Sequence, residues 1–197
     1  MIVNVFAAAV LASLVSAGSP APPLTEIDRQ RLVAHLQMTG AWLIDEVSGL
    51  SPAQVTFRRA PEAWTIAEVL EHLVMVEDIY WEDLQSALKL PTAGQTSAMS
   101  DADILWYGID RSRKEQAIAG ERPEGQIRGL QQALDTYRKR HDRLLQYIRT
   151  TGDDLRSRIV PRQRCDAYQW ALLISTHEQR HVLQIREIKG DPRFPKK

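Results

Sequence analysis

The sequence predicts an all-α protein, a four-helix bundle with up-down-down-up order of its helices. Four segments of the 197-residue chain repeat their apolar side chains at helical spacing, and none shows a convincing strand alternation. Residues 91–128, between the second and third helices, are too many for a tight antiparallel turn. We expect them to be mostly loop, with one or two helical turns between Asp103 and Lys114. A connection of that length can return along the bundle, which leaves the second and third helices parallel.

The first two helices have clear signals at their ends. The first should run from about Thr25 to Leu50, and Ser51-Pro52 follows it. Its apolar stripe consists of Leu32, Leu36, Leu43, Val47 and Leu50. Thr65-Ile66-Ala67-Glu68 is a capping box, in which Thr65 caps the second helix and Glu68 reaches back to the Thr65 amide. This helix should reach about Leu88.

The last two helices lie in the C-terminal part of the chain. The third is predicted at about Gly129–Thr151 and the fourth at about Ala167–Lys189. Asp166 is suited to cap the start of the fourth helix, and Gly190 suits its C′ position. All four helices are long enough to present an apolar face to a shared core.

The first 23 residues differ from the rest. Residues 1–17 resemble a secretory signal peptide without basic residues, because the run from Ile2 to Val15 is uncharged and small residues precede Ala17. This run is shorter than the roughly 20 apolar residues that span a bilayer. Residues 18–23 read as a flexible lead-in, and residues 24–197 as the bundle domain. We expect an exported, periplasmic or extracellular protein, or a cytoplasmic one if the segment is not a signal.

Composition limits the classes of partner. The 25 basic residues balance the 25 acidic ones, so the chain has no charge footprint for nucleic acid, or for a membrane beyond the export signal. A hydrophobic content of 44% suits a globular protein with a real core. The single cysteine, Cys165, cannot form an internal disulfide. Apolar packing against Trp170 is favoured for it over a thiolate at the start of the fourth helix.

Three histidines are predicted to meet inside the bundle. His177 and His181 lie four residues apart, so they share one face of the fourth helix, at positions that otherwise hold apolar residues. Two imidazoles so placed can bind one divalent ion. His72 lies about 10 Å below the start of the second helix at 1.5 Å per residue. That depth brings it level with the other two if the second and fourth helices are antiparallel, as up-down-down-up order requires.

The roles of four other polar residues stay open in the sequence. His141 and His35 could be further ligands or hydrogen-bond donors to the site, but partly exposed or structural positions are favoured for both. Glu178, Glu68 and His141 are the candidates for a catalytic base. For Glu68 the favoured role is the helix cap, and for Glu178 the favoured position is exposed to solvent. The sequence therefore does not select a base.

His177-Glu178-Gln179-Arg180-His181 also matches the H-E-x-x-H pattern of zinc proteases. The pattern is short, and only 16 residues follow His181, which leaves little room for a downstream third ligand. No predicted strand is present to bind an extended peptide by edge pairing. A protease is therefore the third alternative, well behind the other two.

Two motifs resemble the DinB-like superfamily, also described as the YfiT-like metal-dependent hydrolases. One is the segment Trp64–Leu73, and the other is Trp170–Ile185 with the tail Lys189–Pro195. The resemblance covers residues 24–195 and implies an up-down-down-up four-helix bundle. It also implies a zinc, nickel or similar ion held by three histidines, which match His72, His177 and His181. Family members of known activity include transferases and isomerases that use low-molecular-weight thiols.

Two functional hypotheses follow from these observations. The first is a metal-dependent hydrolase or thiol-dependent transferase that acts on an unidentified small molecule. An export signal weakens the thiol alternative, because reduced thiols are scarce outside the cytoplasm. The second is a non-catalytic protein of the cell envelope that binds a metal or ligand. A homodimer is compatible with the helix pattern, although no heptad seam long enough to argue for one is visible.

Overall fold

A computed structural model describes residues 24–92, 97–126 and 129–196. Its helices are α1 (Glu26–Val47), α2 (Pro52–Val55), α3 (Ile66–Lys89), α4 (Asp101–Ile109), α5 (Leu130–Thr150) and α6 (Ala167–Lys189). Two-residue strands, β1 (Ile159–Val160) and β2 (Cys165–Asp166), pair antiparallel immediately before α6. The all-α prediction is confirmed, and this short ladder is a detail that the pattern did not reveal. The predicted signal peptide and lead-in lie outside the described residues.

Contacts along the four long helices give their relative directions. Tyr80 and His72 of α3 contact Trp170 and His177 of α6, respectively, so α3 and α6 are antiparallel. Asp78 of α3 pairs with Arg143 of α5, and the later residue Trp81 contacts the later residue Tyr147. The two helices are therefore parallel.

The first helix fits the same arrangement. Thr39 of α1 contacts Glu178 of α6, and Glu46 further along contacts Lys189, so α1 and α6 run parallel. The Arg29 guanidinium near the start of α1 binds the carbonyl oxygen of Thr151 just beyond α5, at 2.9 Å. Taken in chain order, these directions are those of an up-down-down-up bundle.

The helix ends follow from local chemistry. The Thr65 hydroxyl accepts from the Glu68 amide, and the Glu68 carboxylate accepts from the Thr65 amide, as the capping box predicts. Asp166 caps α6 in the same way. Gly190 is the C-cap of α6, one position earlier than the predicted C′, with φ of −76°. Its backbone amide donates to the Arg186 carbonyl oxygen.

A polar layer divides the interior. The apolar residues of α6 up to Ile174 belong to one core cluster, and those from Val182 onward belong to a second. On α3 the boundary falls between Val74 and Val76. Residues 175–181 lie between the clusters, and most of them are buried because α4 packs on α6 as well as α1 and α3. The candidate site lies in this layer.

The connection between α3 and α5 contains a short helix, close to the helical turns predicted between Asp103 and Lys114. A two-turn helix, α4, begins at Asp101 behind a Ser100 cap. Trp106 is 64% exposed on this helix. Among the helices of the described ranges, none is both long and apolar enough to span a bilayer.

The side chain of Cys165 lies in the protein interior. It is buried in the same core cluster as Trp170, and burial raises the pKa of its thiol to about 12. We therefore expect the native protein to resist a thiol reagent such as DTNB at about pH 8, where this thiol stays protonated. One thiol per chain should react once guanidinium unfolds the protein. Rapid stoichiometric labelling of the folded chain would contradict this assignment.

Candidate metal centre

The structure brings the three predicted histidines together. His72 Nε2 lies 3.2 Å from His177 Nε2, which in turn lies 3.0 Å from His181 Nε2. The three rings are 3%, 7% and 7% exposed, in that order. Helix α3 supplies one ring, and the i,i+4 spacing of α6 supplies the other two.

The outer nitrogens of two rings are already occupied. His72 Nδ1 lies 2.6 Å from the Glu121 carbonyl oxygen, and His181 Nδ1 lies 2.8 Å from Gln184 Oε1. A carbonyl oxygen only accepts, so each Nδ1 carries the hydrogen and each Nε2 presents a lone pair. Metal-binding histidines are held by this kind of partner on the other nitrogen.

The inner nitrogens fit a cation better than they fit one another. A hydrogen on His177 Nε2 can be donated to only one of its two neighbours, and the lone pair of the other neighbour is then left without a donor. Nitrogens that share a tetrahedral zinc at 2.0–2.1 Å lie about 3.3 Å apart. The observed separations of 3.2 and 3.0 Å are close to that value. The donor set therefore suits a divalent ion such as zinc or nickel.

The rings are neutral in this environment. Burial lowers the pKa of His72, against a smaller opposing effect of the Glu121 carbonyl. Burial also holds the pKa values of His177 and His181 well below the usual range, and mutual repulsion among the three rings adds to it. Neutral imidazole is the form that binds metal, so the site is ready for a cation near neutral pH.

Aromatic rings enclose the centre. The Trp64 ring stacks on His181 with ring centroids 6.3 Å apart, and it lies 5.0 Å from the His72 ring. The Tyr80 ring lies 5.7 Å from that of His177. These rings limit water around the nitrogens, which strengthens any electrostatic interaction there.

Two charged residues that were not predicted as site residues, Glu71 and Arg180, bind the backbone of the segment 107–126. This segment includes Glu121, whose carbonyl contacts His72. The Glu71 carboxylate accepts from the backbone amides of residues 124–126 at 2.7–3.1 Å. The Arg180 guanidinium donates to the carbonyl oxygens of Tyr107, Asp110 and Arg113. Each of these residues directly precedes a histidine of the site. A charged residue beside a buried stripe is the sequence feature that could have identified both. Nothing in the sequence marks Glu121, because it acts through its backbone carbonyl.

The structure places the catalytic candidates away from the three inner nitrogens. Glu178 is 1% exposed, so the solvated position predicted for it is wrong. Its carboxylate accepts from Thr39 and contacts His141 Nδ1 at 3.0 Å. Glu68 is engaged by its cap and by Arg58, as the capping interpretation predicts.

The two remaining histidines have separate surroundings. His141 is buried rather than partly exposed, and it contacts Glu178 and Tyr137. His35 is part-buried and lies 2.6 Å from the Ser175 hydroxyl. Neither ring belongs to the group formed by His72, His177 and His181.

Comparison with known proteins agrees with the motifs. A family model described as the DinB superfamily matches residues 24–185, most of the chain. The chain belongs to the DinB superfamily. It is 28% identical over 151 residues to the uncharacterized protein YuaE of Bacillus subtilis (strain 168), an alignment that covers 74% of this chain and 89% of that protein. No solved structure matches it.

Proposed function

We propose that this DinB-superfamily protein is a metal-dependent enzyme, a hydrolase or a thiol-dependent transferase, with a divalent ion held by His72, His177 and His181. The observation that carries the proposal is the convergence of three Nε2 atoms, with two of the three rings held through their outer nitrogens. Zinc or nickel suits three imidazoles best. The substrate would be a small molecule, since the charge balance offers no footprint for nucleic acid.

A divalent ion held by these three histidines would supply Lewis-acid chemistry and would lower the pKa of a water or thiol. The residues of the chain supply the orientation. Glu121 and Gln184 fix two rings through their outer nitrogens, and Trp64 and Tyr80 restrict the solvent around them. Once the pKa of the water or thiol is low enough, it loses its proton without a carboxylate as base. This agrees with the positions of Glu178 and Glu68 away from the three inner nitrogens.

The proposal is tested by activity that follows the metal. Purified protein would be stripped with a chelator, reloaded with zinc or nickel, and assayed with a panel of esters and with thiols plus electrophiles. We expect turnover only in the reloaded protein, and none in His181→Ala treated in the same way. His35→Asn, which alters a histidine outside the centre, should keep full activity. Turnover that survives complete metal removal would contradict the proposal.

A second candidate function is supported by the burial of the site. Rings that are only 3–7% exposed leave little access for a substrate, as expected for a non-catalytic protein that binds a metal or ligand. Tight binding of one zinc or nickel without turnover across both substrate classes would favour this alternative.

The zinc-protease alternative loses support from the position of Glu178. In that mechanism the glutamate of H-E-x-x-H acts as general base beside the metal. Here its carboxylate is buried between Thr39 and His141, on helices α1 and α5. It would have to break both contacts to serve that role.

Export and assembly remain part of the proposal. Cleavage after residue 17 would give a mature chain that begins at Gly18, which mass spectrometry of the protein from an envelope fraction would detect. Intact protein in the cytoplasm would contradict export. Light scattering of the mature chain would separate a monomer from a homodimer.

A further inference from the structure

A second buried cluster lies beside the three-histidine centre. It consists of Glu77 from α3, His141 from α5 and Glu178 from α6, which are 7%, 7% and 1% exposed. His141 Nδ1 lies 3.0 Å from Glu178 Oε1 and 3.9 Å from Glu77 Oε1. One nitrogen and two carboxylate oxygens thus come within 4.8 Å of one another in the polar layer.

One buried carboxylate oxygen of this cluster has no donor in the part of the chain that the structure describes. His141 contacts the carboxylates through Nδ1 and also hydrogen-bonds the Leu36 carbonyl, which requires a hydrogen on its other nitrogen. Glu178 Oε2 accepts from the Thr39 hydroxyl at 2.7 Å. Glu77 Oε2 has no hydrogen-bond partner within the described ranges, although it is buried. An orphaned buried carboxylate oxygen is costly and calls for a missing partner.

The cluster brings two acidic side chains close together. Arg140 and Arg143, whose charges act on Glu77, both pair with Asp78 at the surface. Two carboxyl groups this close require either a shared proton or a cation between them.

We propose that Glu77, His141 and Glu178 form a second divalent-cation site, separate from the three-histidine centre. Two carboxylates and one imidazole are harder donors than three imidazoles, and they favour Mn²⁺ or a similar ion. A cleft of about 260 Å³ between α1 and α5, lined in part by Gly40, Tyr137 and His141, reaches the far side of the His141 ring from the surface.

Close packing holds the imidazole in place. A methyl group on Gly40 would approach His141 Nε2 to 2.8 Å, so helix α1 packs directly against the ring on the side away from the carboxylates. Tyr137 lies one turn before His141, and its hydroxyl is 3.3 Å from Nδ1. The ring is thus oriented before any ion binds, which lowers the cost of assembling the site.

The test uses Mn²⁺ as the probe, in a chain whose first centre has been disabled. The double variant His72→Ala/His181→Ala would be titrated with Mn²⁺ and followed by electron paramagnetic resonance. We expect one bound Mn²⁺ per chain and a higher melting temperature in its presence. Adding Glu77→Gln, which keeps the shape but removes the charge, should weaken binding by at least about tenfold.

Glu82→Gln is the matched control. It makes the same change at an exposed position of α3, five residues further along, and should leave Mn²⁺ binding unchanged. Circular dichroism would establish that each variant is folded, and His141→Gln replaces Glu77→Gln if that variant does not fold. Absence of Mn²⁺ from the double variant would show that a shared proton stabilises the carboxyl pair, and would overturn the proposal. Equal binding by Glu77→Gln and Glu82→Gln would also overturn it.

Discussion

Replacing His177 with alanine is expected to remove one equivalent of zinc or nickel from the protein. His177 Nε2 is the shared member of the two close nitrogen contacts, so its loss leaves His72 and His181 without their common neighbour. Loss of an outer-shell partner alone weakens metal binding by roughly 10–100-fold, and loss of a direct ligand should exceed that. Elemental analysis after dialysis against the metal would measure the ratio of metal to protein.

His35→Asn is the control for this measurement. It removes an imidazole that contacts Ser175 rather than the inner nitrogens, so its metal content should equal that of the unaltered chain. The metal-free forms of both variants should melt cooperatively, which separates loss of a ligand from loss of the fold. A metal-to-protein ratio in His177→Ala equal to that of the unaltered protein would rule out this ligand set.

Replacing Trp170 with alanine is expected to destabilise the fold by about 3–5 kcal/mol, a large part of the 5–15 kcal/mol that holds a typical domain together. Trp170 is among the largest fully buried side chains in the described structure. Its ring packs 4.9 Å from that of Tyr80, and its indole N–H donates to the Tyr80 carbonyl at 2.8 Å. Alanine would leave a cavity between α3 and α6. Urea unfolding at equilibrium would measure the change.

Trp170→Phe separates the two contributions. Phenylalanine retains most of the apolar volume and loses the hydrogen bond, which is worth about 1 kcal/mol. Its free energy of unfolding should therefore lie much closer to that of the unaltered protein than to that of Trp170→Ala. Equal losses in both variants would show that the hydrogen bond, rather than packing, dominates at this position.

The helices and their ends can be predicted from the sequence because the interactions that form them are local. Thr65 and Glu68 satisfy each other within one turn, and the same is true of Asp166 at the start of α6. The convergence of His72 with His177 and His181 can be predicted because the rise per residue gives the position of each histidine along its helix. Glu178 was misjudged, since its hydrogen-bond partners Thr39 and His141 come from two other helices.

The sequence by itself determined the helical class, the capped starts of α3 and α6, and a histidine pair on one helix face, because periodicity and capping act over a few residues. The tertiary structure alone decided which polar groups meet inside. The Glu121 carbonyl reaches His72 from 49 residues away, and Glu77 comes beside Glu178 only when α3 packs on α6. Such contacts join residues that no local spacing relates, and the close packing of the bundle selects them.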